Sequence, residues 1–452
     1  MIGRETVMKK LLAAICLVLA LLGAFALAED ADTVPALWPA CDPVTGLWGY
    51  VDAQGAWAIA PQWEKAYHFH GGCAIVDTAD ASAWDAMNTQ GIIDETGTYL
   101  LEPAYCVDDA CCLDGAGALY LVNQYDDERG SGWFNIPNRY FSGLRWTECY
   151  ATRDTPYILA NMDYELDGLA DRATGEIVVP IEYSSTGLYD WGIDGGFIVA
   201  ERDDTRACEL IEIGWGVVEL PEGVSIDYYP GVSEGLIAFE HDGLYGYLNT
   251  EGEIVIPAQF DSAEGFMDGY AEVGLLDEVR TSTIIDHSGN VVISGLGATY
   301  YGVVDGALFI MEEYSDWSLI EPDGTVRCRV EAPEGCYNPW LYQFAEDGPL
   351  WVSYEREDEP WCWGIVDLNG QWLTEPGLYV SFDMDESWLA VGKEGCWGYA
   401  DAYGNTVLPF IYEDAEYFEG ALARVMLDAS TEGYINRSGE VVYQWASEGD
   451  TW

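Results

Sequence analysis

His68 and His70 stand two residues apart. On a strand that spacing puts both imidazoles on one face, as a transition-metal site needs. The residues between and around them read as an aromatic loop leading to Phe69, and no other stretch of the chain repeats the pair, so we read them as variable loop residues. Cys111 and Cys112, adjacent and flanked by Asp109 and Asp114, have soft-metal chemistry but no zinc-type spacing. Asp163-Tyr-Glu165-Leu-Asp167-Gly168 resembles the start of a calcium loop, yet Thr174 occupies the twelfth position, where a bidentate Glu belongs. No Gly-x-Ser-x-Gly, His-Glu-x-x-His or phosphate-cradling loop occurs. With 79 acidic residues, close carboxylate pairs of the glycosidase kind arise everywhere and single out nothing. We therefore expect no catalytic residue, no cofactor-binding residue and no dedicated metal site, and at most weak, diffuse calcium binding to acidic surface.

The elements that would have to position any chemistry are short strands in tandem. A glycine, two mostly apolar residues, an Asp or Asn, two more residues and a second glycine recur along the chain. The sharpest copies are Trp48-Gly49 through Asp52 to Gly55, Gly246 through Asn249 to Gly252, Trp363-Gly364 through Asp367 to Gly370, and Trp397-Gly398 through Asp401 to Gly404. Gly91 and Gly433 lead two more, Thr283 and Ser318 lead weaker ones, and Gly132, Gly168 and Gly216 mark irregular ones. That makes eleven marks at intervals of 30 to 48 residues. An Asp or Asn opening a turn accepts hydrogen bonds from the backbone two residues on, and a closing Gly takes the positive φ. Such a turn joins two strands in a hairpin with a bulge. After several second strands comes a proline, as at Pro61, Pro103, Pro180, Pro257 and Pro409. Lacking an N–H, it is expected at a strand end. An aromatic loop follows (Ala66 to Phe69, Ala263 to Phe266, Ala415 to Phe418), then a third strand led by Gly72, Gly269 or Gly420. Each unit thus predicts about three short strands and no helix.

These features resemble the WG (KWG) repeats of bacterial proteins. Trp48-Gly49, Tyr245-Gly246, Trp363-Gly364 and Trp397-Gly398 carry the resemblance, with Trp215-Gly216 a partial match. It spans roughly residues 44–444 and is strongest at the copies of Gly49, Gly246 and Gly398. It implies a β-rich repeat array with a binding or scaffolding role, and it transfers no catalytic residue.

A three-stranded unit cannot bury its apolar face alone, so neighbours must stack. The fold class is all-β: tandem β-meander repeats, about eleven units of ~35 residues, in an open superhelical array, with one or two closed propeller-like rings as the alternative. The Trp-Gly pair reads as core. Its glycine permits close backbone approach and its tryptophan fills the gap between units. Trp133, Trp146, Trp340, Trp351, Trp361 and Trp388 lie off that position. They read mostly as core of irregular units, with some as platforms for sugar rings.

The amino-terminal 28 residues read as a secretory signal: Arg4, Lys9 and Lys10, an apolar run from Leu11 to Leu27, and a small-x-small site at Ala26 and Ala28 before Glu29. The domain plan is a signal over 1–28, a lead-in over 29–46, the array over 47–444 and a tail over 445–452. Net charge is −61, from 79 acids against 18 Lys and Arg. Removing the signal takes away three positive charges and one negative, leaving −63. That field repels nucleic acid and anionic lipid. Hydrophobic residues at 49% and aromatics at 14% are enough to build a core. Of twelve cysteines eleven lie beyond the signal, an odd number without a regular framework, and Cys73 and Cys396 fall on expected strands as small hydrophobes. The expected function is an exported, non-enzymatic scaffold that presents acidic β-repeats to a protein or a cell-envelope polysaccharide, with no nucleic acid and no membrane insertion of the mature chain. The alternative is a polysaccharide-active enzyme whose site lies in one of the irregular inserts near 125–160, 200–230 or 325–360.

Overall fold

The computed structural model describes residues 37–447 apart from 79–87, 109–118, 125–129, 152–154, 163–165, 185–192, 228, 276–281, 297, 313–314, 346, 357–360 and 382–387. The amino-terminal segment with Ala26, Ala28 and Glu29, the pair Cys111-Cys112 and the opening of the calcium-like loop lie outside these residues.

All described regular structure is β, in antiparallel meanders. The described strands form nine sheets, and two of them are seven-stranded. Each of those two is a pair of units sharing one long strand. Tyr99–Asp108 pairs through Tyr99 to Tyr105 with Gln90–Asp94, and through Cys106 to Asp108 with Leu119–Gln124. Trp372–Ser381 does the same between Cys362–Val366 and Trp388–Lys393. Nine sheets with two of them double make eleven units, one for each mark in the sequence. The fold is therefore all-β tandem repeats with no closed barrel.

A typical unit has four strands. Unit 11 is Asp414–Glu419, Leu422–Asp428, Thr431–Asn436 and Val441–Ala446, paired in that order. In unit 7 the expected aromatic loop persists over 264–266 after the short strand Ser262–Ala263, but in units 2 and 11 the loop is a strand, the first of its unit: Lys65–His70 and Asp414–Glu419. It looks irregular in sequence because of a bulge. The register shifts between Ala66 and Phe69, and again between Ala415 and Phe418, so the alternation of apolar residues is broken there. The prolines also depart from expectation. Pro61, Pro257 and Pro409 lie inside the last strands of their units, Trp57–Trp63 (equivalent to a fourth strand, though unit 1 has three described), Ile254–Phe260 and Thr406–Tyr412. Each falls where the register skips against the third strand, so its missing N–H costs no ladder bond.

Two boundaries change. Among the described residues the array already includes Trp38, because Trp38–Cys41, within the expected lead-in, pairs with Trp48–Val51 as part of unit 1. Trp445 and Ala446, placed in the tail, end the last strand. The mark at Gly216 is also displaced. The third strand of unit 5 is Cys208–Glu212, and Gly216–Val217 is its fourth. Trp215 is accordingly 85% exposed rather than core.

The core is a series of apolar clusters between consecutive units. One joins units 6 and 7 through Tyr247, Ile256, Phe260, Phe266 and Val273. Another joins units 10 and 11 through Tyr399, Leu408, Tyr412, Phe418 and Val425. A tyrosine hydrogen bond accompanies the packing. Tyr50, Tyr247 and Tyr399, each directly after the repeat glycine, donate their hydroxyls to the carbonyls of Tyr67, Glu264 and Glu416 in the next unit at 2.8–2.9 Å.

No ladder joins unit 1 to unit 11 among the described residues, so in its strand pairing the array is open. Its ends nevertheless meet. Trp38, Trp48 and Tyr50 share one buried cluster with Leu422, Tyr434 and Trp445. The repeat tyrosine of unit 11, Tyr434, donates to the carbonyl of Pro39 at 2.8 Å, and Tyr443 to that of Cys41 at 3.2 Å. The indole of Trp38 donates to Glu419 O at 3.2 Å. Unit 1 has three described strands, and its Trp38–Cys41 receives the tyrosine bond that a first strand receives elsewhere.

Candidate functional site

The repeat glycines owe their identity to the strand beside them. A Cβ on Gly49 would stand 2.5 Å from Ile59 O and 2.7 Å from Pro61 N, and one on Gly398 would stand 2.8 Å from Pro409 O. Gly246 faces Ile256 O and the Pro257 peptide in the same way, and Gly364 faces Thr374 O and the Trp372 ring. The fourth strand bulges inward at its proline, and only a residue without a side chain lets it come that close. The preceding aromatics pack against the same strand: Trp48 and Trp363 are buried, whereas Trp397 is half-buried.

The turns are held by their own acids. Oδ1 of Asp52 accepts from Gln54 N and Ala56 N at 2.9 Å. Asn249 binds Glu251 N and Glu253 N in the same fashion, and Asp401 binds Tyr403 N and Asn405 N. Gly55, Gly252 and Gly404 close these turns with φ of 76° to 82°. Burial pushes the Asp286 carboxyl up, but the hydrogen bonds from Asn290 and Ser288 outweigh it and hold the group below its ordinary range. A second set of acids links the turns between first and second strands from unit to unit. Asp194 accepts from Gly235 N at 2.7 Å, Glu234 from Gly269 N at 3.0 Å, and Asp268 from Val303 N at 3.0 Å. Sequence reasoning missed this second set, because each bond crosses 35 or more residues and no local signal marks it.

The titratable side chains singled out in the sequence are dispersed. His68 and His70 lie on the strand Lys65–His70, not in a loop. His68 Nδ1 meets Glu419 Oε2 of unit 11, so the imidazole links unit 2 directly to unit 11. Burial opposes its charge, but Glu419 and Glu416 raise its pKa above the ordinary histidine value. Beside it, burial pushes Glu416 up against the opposing pull of His68 and Arg424. The Arg424 guanidinium lies 5.8 Å from the Trp48 ring and 5.6 Å from the Trp445 ring, and its Nε donates to the buried Glu432 at 3.0 Å. At this junction His68 pairs with Glu419 and Arg424 with Glu432. Asp167, from the calcium-like loop, is a core residue, 2% exposed. It accepts from Asn161 Nδ2 at 2.6 Å, and burial pushes its carboxyl up. Among the described residues no three His, Cys, Asp or Glu side chains gather as a metal would require.

The off-position tryptophans divide. Trp133, Trp146 and Trp351 are buried, Trp388 is half-buried, and Trp340 and Trp361 are 49% and 44% exposed. Cys73 is buried on its strand, whereas Cys396 is exposed on its own. No described helix is long and apolar enough to cross a membrane.

A family model described as a WG containing repeat matches residues 48–78, 245–275 and 397–429, the copies of Gly49, Gly246 and Gly398. No curated protein matches the chain. Among solved structures it is similar to a eukaryotic initiation factor at 11% identity, over 74% of this chain and 94% of that one, with a TM-score of 0.40. It is also similar to the computationally designed Ika8 protein at 12% identity, over 66% and 95%, with a TM-score of 0.34. A third similar structure is Hsv2 of Kluyveromyces lactis at 12% identity, over 62% and 95%, with a TM-score of 0.33. Likeness at that level carries no argument about activity.

Proposed function

This chain is a WG repeat-containing protein, and from that premise we propose that it is an exported, non-enzymatic scaffold whose acidic β-repeats bind a protein or a cell-envelope polymer. One observation carries the reading: its distinctive polar side chains maintain the repeat itself. Turn acids such as Asp52, Asp94, Asp367 and Asp401 bind their own backbone, and Glu234 and Asp268 bind the neighbouring unit. Chemistry spread evenly over many equivalent units suits a broad surface better than a single reaction centre. The net charge of −61 directs that surface toward basic or hydroxyl-rich partners and away from nucleic acid. Export follows from the amino-terminal segment, and no cofactor is required.

The test uses purified residues 29–452 with the envelope fraction of the source cell. Saturable retention without release of sugars or peptides is the expected result, and calcium dependence of that retention would assign the acidic surface a part in it. Release of products would overturn the scaffold reading in favour of a polysaccharide-active enzyme. Neither retention nor release would remove the envelope polymer as partner.

A further inference from the structure

Two cysteines meet in the core between units 8 and 9. Cys336 ends the irregular connection that follows the strand Val326–Val330, in a turn closed by its own N–H to Pro333 O at 3.0 Å. Cys362 begins the strand Cys362–Val366. Between these two lies the strand Leu350–Glu355, with Glu355 opposite Tyr337 and Tyr354 opposite Cys362. Cys336 stands one residue before Tyr337, so the two sulfurs approach each other across the end of the middle strand. They are 3.9 Å apart, and both residues are buried, at 5% and 1% exposure. Arg356 Nε donates to Cys336 Sγ at 3.3 Å and holds that sulfur beside its neighbour. Both cysteines belong to one apolar cluster with Trp317, Val352 and Tyr354.

We propose that Cys336 and Cys362 form a disulfide that staples the irregular connection 331–336 to the sheet of unit 9. Forming the bond closes the gap between the sulfurs from 3.9 Å to about 2 Å across the end of the middle strand. The oxidant is a disulfide-bearing carrier. The Cys336 thiolate attacks one sulfur of the carrier and forms a mixed disulfide, releasing one carrier thiolate. The Cys362 thiolate then attacks Cys336 Sγ and releases the second. Two protein thiols are oxidised and one carrier disulfide is reduced to two thiols, which take up the two protons. The closed loop spans 26 residues and constrains the unfolded chain accordingly. The inference rests on the geometry of the pair and is independent of the functional reading above.

The test starts from the full chain, unfolded and reduced, so that burial does not limit access. It is refolded in mixtures of oxidised and reduced glutathione, quenched with a thiol-alkylating reagent and digested with trypsin without reduction. Cleavage at Arg329, Arg356 and Lys393 gives peptides 330–356 and 357–393, each with a single cysteine. The expected result is one linked species of these two peptides, and a thermal midpoint that rises by several degrees on oxidation in the parent chain but not in C336S or C362S. Alkylation of both cysteines in the folded, oxidised protein would overturn the proposal, as would either of them linked chiefly to another cysteine. If both single variants failed to fold, the peptide map of the parent chain would decide alone.

Discussion

Gly395 and Gly398 lie three residues apart in one hairpin and are glycine for different reasons. Gly395 sits at φ +82° with open space where a Cβ would be, whereas a Cβ on Gly398 would meet Pro409 O at 2.8 Å and Leu408 O at 2.9 Å. Asparagine tolerates the left-handed conformation, so Gly395→Asn should cost no more than about 1 kcal/mol. Gly398→Asn forces the fourth strand outward and should cost about 1–3 kcal/mol. Urea midpoints of the two variants compare these costs, and equal losses would refute the close-approach account. At Asp167 the concern is charge. Burial raises its folded pKa, so the folded state favours the protonated carboxyl, and ionisation at neutral pH works against the fold. Asp167→Asn should therefore gain on the parent protein at pH 7, and the advantage should vanish as pH falls below the ordinary carboxylate range. A pH series of denaturation midpoints would show a constant difference if this account is wrong. The importance of Gly398 was legible in the Trp397-Gly398 pattern. Asp167 was not, because its surroundings showed only an incomplete calcium-loop pattern and its partner Asn161 faces it across a hairpin.

At the scale of the element, the turn between third and fourth strands is the most local unit of structure in the protein. Asp401 accepts two backbone N–H groups through Oδ1, and Asn405 Nδ2 donates to its Oδ2 at 3.0 Å. Asp401→Ala should cost about 1 kcal/mol, the net worth of such bonds. Asp401→Asn should be nearly neutral, since Asn249 and Asn436 hold the equivalent turns through the same oxygen. Thermal melts of the pair check both, and a neutral alanine variant would show that the glycine alone sets the turn. The first strand of each unit was the element least visible beforehand. In units 2 and 11 its bulge removes the alternation by which strands are recognised, and its partner strand lies beyond a glycine turn.

The ends of the chain matter at the scale of the whole molecule. Unit 1 covers Leu422, Tyr434 and Trp445 on one side and Ala66, Phe69 and Val76 on the other. Deleting residues 1–63 would uncover both faces, and an exposed apolar face seeks another. The truncated chain should self-associate, which light scattering against the parent chain would detect. A monomeric, fully stable truncation would show that the packing of the ends contributes little. His68 makes that junction sensitive to pH. Its folded pKa is raised, so its contribution is fully present below the unfolded value of about 6.5 and is lost as pH rises through the higher folded value. The stability gap between the parent and His68→Gln should narrow across that window and close above it. A gap unchanged with pH would mean that the imidazole acts by packing alone.

The number of units, their all-β character and the spelling of their turns were decided by the sequence by itself. All three rest on interactions within a few residues: an Asx side chain on its own backbone, a glycine at positive φ, and apolar residues flanking them. Even there, Gly216 was misplaced, since Trp215-Gly216 copies the signature on a turn and an exposed edge. The tertiary structure decided what depends on distant residues. The first residues of the array pack beneath the last, His68 meets Glu419, and the acids of one turn cap the backbone of the next. It also brought Cys336 to Cys362 across the end of a strand. Local chemistry repeats and can be read from its spacing, whereas these contacts exist only once the units have stacked and brought distant faces together.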